Sequence, residues 1–103
     1  MGIDQVRSQH KSLLKELQEE RAAALARISR RLERLIEQLH ATREQIAHAR
    51  EEDRAREVAA YRELHQEALK YRWYLEVQRE AIGLRQHQHI DEFYRVPPLE
   101  LDL

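Results

Sequence analysis

Three groups of side chains have the types and spacing to do chemistry. Glu37, His40, Glu44, His48 and Glu52 recur every three or four residues, so on a helix they share one face. Within them, Glu37-Gln38-Leu39-His40 sets a carboxylate and an imidazole one turn apart, a spacing with which helix bundles ligate metal. His87, His89 and Asp91 alternate. An extended chain would aim all three the same way, whereas a helix would splay the two histidines by about 200°. Arg21, Arg27, Arg30, Arg31 and Arg34 concentrate positive charge around Leu25, Ile28 and Leu32, a pattern that suits phosphate or an anionic lipid surface.

Each group also has a plainer reading. The Glu–His face lies roughly opposite Leu35, Leu39, Thr42 and Ile46 at about 100° per residue, whereas ligands must project into a bundle interior. No second Glu-x-x-His follows. A metal-binding helical bundle protein using Glu37, His40 and Glu44 is therefore a minor alternative. Alternating His and Gln is ordinary linker composition, so no metal site and no cofactor are assigned. An enzyme is not expected, because a thin helical rod rarely makes a water-excluding concavity. The arginines sit beside Glu16, Glu19 and Glu20, which would repel an anionic partner. Their expected role is pairing with glutamates of a neighbouring helix. Anion binding by Arg27, Arg30, Arg31 and Arg34 is the runner-up, and nucleic acid and membrane are not the expected partners.

What must position all these groups is a helix. Between Ile3 and Ile82 there is no Gly and no Pro; the two glycines are Gly2 and Gly83. An apolar stripe follows this stretch in steps of three and four, through Leu17, Ile28, Leu32, Leu35, Leu39, Ile46, Leu64 and Leu75. The composition, 42% hydrophobic and 36% charged, is that of a coiled coil rather than of a globule with a broad core. One helix cannot bury its own stripe, so a homo-oligomer or a hairpin is expected, with these residues as the seam. Residues 1–50 carry ten Lys and Arg against seven Asp and Glu, a net +3, while residues 51–103 carry eight against twelve, a net −4. That asymmetry favours an antiparallel arrangement. There is no cysteine, no apolar run near the ~20 residues that span a bilayer, and no basic-then-apolar secretion layout at the N-terminus, so a cytoplasmic location is expected.

Residues 50–57 are the weak point of the stripe, seven of eight being charged. A hairpin turn near 50–54 would fit, with Asp53 capping a second helix, and Thr42-Arg43-Glu44-Gln45 offers another break as a capping box. Against both, nothing here requires φ > 0, and Ala49, Asp53, Ala60 and Leu64 keep the stripe in phase. The reading favours one unbroken helix over 1–82, roughly 120 Å long. Pooled over its length the stripe repeats close to every 3.6 residues, which predicts nearly straight packing.

Residues 61–84 are different. Leu69, Trp73, Val77 and Leu84 form a second stripe opposite the seam, among Tyr61, Tyr71 and Tyr74. A helix apolar on two faces is buried on two faces. Gly83 suits a left-handed helix terminus. A short helix or turn over 83–95 is then expected to fold back, with Ile90, Phe93 and Tyr94 covering Trp73. Val96-Pro97-Pro98 forces an extended exit into a tail over 96–103, where Leu99, Leu101 and Leu103 alternate with acids. The tail suits strand addition or a leucine-in-pocket motif, and its Leu-x-Leu-x-Leu spacing resembles the short repressor motif of plant transcription factors.

The expected fold class is all-α: a long amphipathic helix in a coiled coil or helical hairpin, a short C-terminal helix and an extended tail. The expected function is a non-enzymatic scaffold or adaptor. Leu69, Trp73, Val77, Leu84, Phe93, Tyr94, Leu99, Leu101 and Leu103 are the candidate surface for an unknown protein partner.

Overall fold

In the computed structural model, which describes residues 2–101, the chain is an all-α helical hairpin. Helix α1 spans Ile3–Ala47, α2 Glu51–Ala81 and α3 Gln88–Phe93. The expected unbroken helix is corrected: the chain reverses at residues 48–50. The turn uses neither Gly nor Pro. The His48 and Ala49 amides donate to the Gln45 and Ile46 carbonyls at 3.2 and 3.3 Å, tightening the last turn of α1 to i→i+3 bonds. Arg50, at φ −68° and ψ 153°, is the extended residue that starts α2. Glu51, Glu52 and Asp53 then fill the first turn, at the positive end of the helix dipole. Asp53 is thus inside the first turn rather than the cap, and Thr42–Gln45 lies inside α1 with Thr42 buried. Since no non-glycine residue has positive φ among the described residues, nothing in the local chemistry advertises this reversal.

The reversal gives the apolar face of α1 a mate in its own chain. Leu25, Ile28, Leu32, Leu35, Leu39, Thr42 and Ile46 line the contact on α1, alternating steps of three and four. Val58, Tyr61, His65, Ala68 and Leu75 answer them from α2. This is the 3.5-residue period of a coiled-coil seam. The pooled repeat near 3.6 came from averaging across two helices. The phase also resets at the turn, since Tyr61 is buried and Ala60 is exposed. Leu32, Leu35 and Leu39 are fully buried, and each contributes about 2 kcal/mol of apolar burial.

The hairpin measures 75 × 23 × 15 Å. Its length is set by α1, which at 45 residues exceeds the 31 of α2. The surplus projects as a lone helix about 20 Å long. Leu17, expected in the seam, belongs to that projection and is exposed.

At the other end of α2, Gly83 at φ 91° ends the helix. The Leu84 amide bonds the Arg79 carbonyl at 2.8 Å and the Gly83 amide bonds Glu80 at 3.0 Å, the paired bonds of a Schellman terminus. The chain then returns along the hairpin groove. Ile90 of α3 is buried in the core cluster with Leu75, and Tyr94, Val96 and Leu101 pack against it. Among the described residues no helix is long and apolar enough to cross a membrane.

Leu35→Ala removes a fully buried side chain from mid-seam and is expected to cost about 2–5 kcal/mol in denaturant unfolding. Glu37→Ala, on the exposed face, should stay within about 0.5 kcal/mol.

Candidate interaction surface

Residues at steps of four along α2 present Leu69, Trp73 and Val77 on the side away from α1. They are 48%, 58% and 39% exposed. Leu84, just past the helix, is exposed too. The patch is aromatic at its centre: Trp73 lies 5.6 Å from Tyr74 between ring centroids, and Tyr74 meets Tyr71 edge-on at 5.4 Å.

The expected cover over Trp73 is corrected. The segment after Gly83 does fold back, but onto the seam side of α2. Ile90 enters the groove beside Leu75, Tyr94 is half-buried against the same core, and Phe93 is 69% exposed, stacked on His89 at 5.6 Å. Polar contacts explain the choice of side. Arg72 pairs with Asp91, His87 Nε2 donates to Glu80 Oε1 at 2.9 Å, and Arg79 donates to the Gln86 carbonyl at 3.4 Å. Arg72 and Arg79 stand at seam-edge positions, so they draw the returning chain over the groove and leave Trp73 open.

The tail is held by a polar latch. Two prolines in succession leave an extended backbone whose carbonyls have no partners of their own. Tyr61, fully buried, donates its hydroxyl to the Pro98 carbonyl at 2.6 Å. One turn on, His65 Nε2 lies 2.9 Å from the Pro97 carbonyl. A carbonyl only accepts, so this nitrogen carries the proton. From α1, Arg43 reaches the Tyr61 hydroxyl at 3.3 Å and the carbonyls of Pro98 and Glu100 at 3.4 Å. Pro97 is buried, Leu101 packs half-buried on the core, and Leu99 is exposed. Leu103 lies outside the described residues. Of the expected surface, then, Leu69, Trp73, Val77, Leu84, Phe93 and Leu99 are open, while Tyr94 and Leu101 are occupied within the chain. The part that Arg43, Tyr61 and His65 play in holding the tail was not read from the sequence, where Tyr61 stood only among the aromatics of residues 61–84 and Arg43 only in the capping box. The signal was there: a phenol and an imidazole four residues apart on the phase where a seam calls for leucine.

Among the arginines, Arg31 Nη2 donates to Glu67 Oε1 at 3.0 Å across the seam and sits over the Tyr71 ring at 5.7 Å. The hydrogen bond to Glu67 raises its already high pKa. Both partners are about a third exposed, which limits the pair to ~1 kcal/mol or less. Arg27, Arg30 and Arg34 are exposed. Glu37, His40, Glu44, His48 and Glu52 are exposed as well, with His48 Nε2 at 3.2 Å from Glu44 Oε1. No group of three or more His, Asp or Glu among the described residues is placed to hold a metal ion. His87, His89 and Asp91 turn to different partners, Glu80, Phe93 and Arg72.

Compared with protein-family models, curated proteins and solved structures, the chain finds no match.

Two measurements check this surface. Trp73 should emit as a largely solvated indole and be readily quenched by acrylamide. Tyr61→Phe removes the hydroxyl that donates to Pro98 and accepts from Arg43, and should cost about 1 kcal/mol locally. Tryptic cleavage after Arg95 would then quicken roughly fivefold while the unfolding midpoint of the hairpin hardly moves.

Proposed function

We propose that this chain is a non-enzymatic helical scaffold or adaptor acting through protein–protein contact, with the outer face of α2 as its docking surface. The observation that supports it is the exposure of Leu69, Trp73 and Val77 in one row on a helix whose opposite face is already buried. Contiguous apolar surface of this kind marks interfaces, and a tryptophan at the centre is the usual energetic anchor. A straight row at steps of four suits an amphipathic helix of a partner laid along α2. The hairpin supplies rigidity, and the latched tail closes the other side of α2, so its outer face is left for recognition. A cytoplasmic setting and self-association belong to the same reading.

The runner-up is binding of nucleic acid or an anionic membrane. What favours it is that Arg27, Arg30 and Arg34 share one face and are exposed, outside the Arg31–Glu67 pair. A metal-binding role has no comparable support.

Trp73→Lys should leave helicity and melting unchanged and abolish chemical cross-linking to a protein partner in cell extract. Reversing Arg27, Arg30 and Arg34 together to Glu should also leave the fold intact, and on the favoured reading it leaves that cross-link intact. Loss of low-salt binding to duplex DNA or anionic liposomes on the same reversal would transfer the function to the arginine face.

A further inference from the structure

The arm that follows Gly83 is well held at its far end and poorly satisfied at its near end. Ile90 is buried beside Leu75, and the carbonyls of Pro97, Pro98 and Glu100 accept from His65, Tyr61 and Arg43. The turn over 83–87 joins these anchors to α2. Gly83 sits there at φ 91°, and residues 83–86 are exposed. Among the described residues, three buried side-chain nitrogens lack a hydrogen-bond partner, and two of them, Arg79 Nε and His87 Nδ1, belong to this turn. A buried polar atom without a partner burdens the closed form, and water would satisfy it. Opening the turn exposes both atoms and frees the chain from a conformation that only glycine adopts readily. It gives up the Gly83 and Leu84 amide bonds and the contacts of Arg79 and His87 within the turn, groups that water then hydrates. The anchors survive such an opening when the arm finds another groove of the same shape.

A second copy of the chain supplies that groove, with the same donors, the same site for Pro97 and the same contact at Leu75. We propose that residues 84–101 exchange between two copies, each arm latching onto Arg43, Tyr61 and His65 of the other. The closed chain and the exchanged dimer hold identical anchors and differ at the turn, which makes exchange a low-cost route to a dimer. Residues 84–87 span about 13 Å when extended, so the two α2 ends meet side by side. In the closed chain the arm is present at an effective concentration of ~1 mM, which the chain itself must approach before exchange competes. Exchange deepens the scaffold reading, on which it rests for the expectation of self-association, by naming the segment that passes between copies. It does not use the Trp73 face.

The chain has no cysteine, so introduced ones report the exchange. Arg62 and Leu99 line one cleft. Arg62→Cys together with Leu99→Cys in one full-length chain, at high dilution, should be joined within that chain by a short bis-maleimide. Chains carrying one of the two substitutions each are then mixed at ~1 mM, warmed and cooled. The expected result is a mixed product of twice the 12.4 kDa chain mass, in clear excess over like-with-like products. Gly83→Ala makes the closed turn costly and should raise the association constant at least ~10-fold. An in-chain product without a mixed product at that concentration overturns the proposal. So does a mixed product that Gly83→Ala fails to increase. Light scattering checks the chain without cysteines: a single-chain mass at ~1 mM, unmoved by Gly83→Ala, also overturns it. Failure to exchange does not touch the adaptor reading, which stands or falls on the Trp73→Lys cross-link.

Discussion

The antiparallel contact between α1 and α2 is the interaction on which everything else in this molecule depends. Neither helix has a reason to persist alone: both are heavily charged, and each would leave the apolar face of the seam in water. Burying Leu32, Leu35, Leu39 and Ile46 against Tyr61, Ala68 and Leu75 gives both a partner at once. The geometry of that seam then decides what is free. It fixes which side of α2 is outside, hence that Leu69, Trp73 and Val77 face solvent. It also fixes where α2 ends against α1, hence which part of the longer helix is left without a mate.

The third segment makes sense as a consequence of how weak the α2 side of the seam is. Where α1 offers leucine after leucine, α2 offers Tyr61, His65, Ala68 and Arg72 among its facing positions. Two helices with such unequal faces leave a groove with polar groups at its floor. The returning chain fills it with Ile90, Val96, Pro97 and Leu101, and its carbonyls accept from Tyr61, His65 and Arg43. The prolines serve this twice. They prevent a helix that would consume those carbonyls, and the buried ring of Pro97 adds apolar bulk over the groove. A buried hydroxyl and imidazole that would be a liability in an ordinary coiled coil are satisfied here by backbone.

Charge plays a directing part rather than a stabilising one. The Arg31–Glu67 pair is partly exposed and worth little by itself. It agrees in sign with the broader asymmetry of a basic first half and an acidic second half, which an antiparallel hairpin brings together and a parallel dimer of straight helices would not. The pairs of Arg72 with Asp91 and His87 with Glu80 act similarly on the C-terminal segment, choosing the side of α2 over which it lies.

Helix content, the buried stripe Leu32, Leu35, Leu39 and Ile46 of α1 and the helix stop at Gly83 were legible from sequence alone. Each is a local property: spacing, the absence of Gly and Pro, and one residue free to adopt positive φ. The steps of three and four through Ile28, Leu32, Leu35 and Leu39 hold whatever the helix packs against. The reversal at 48–50 was not legible, because it needs only an extended Arg50 and a tightened last turn, conformations open to any residue. A stripe that kept apparent phase across the gap then read as one helix. The side of α2 taken by the returning chain was not legible either. Both of its faces are apolar enough to receive Ile90, and the decision rests on carbonyl acceptors and ion pairs between residues up to 57 positions apart. Local chemistry determined that this chain makes amphipathic helices. Only the tertiary structure decided which of their faces are used up and which, at Trp73 and along Ile3 to Leu17, are left open.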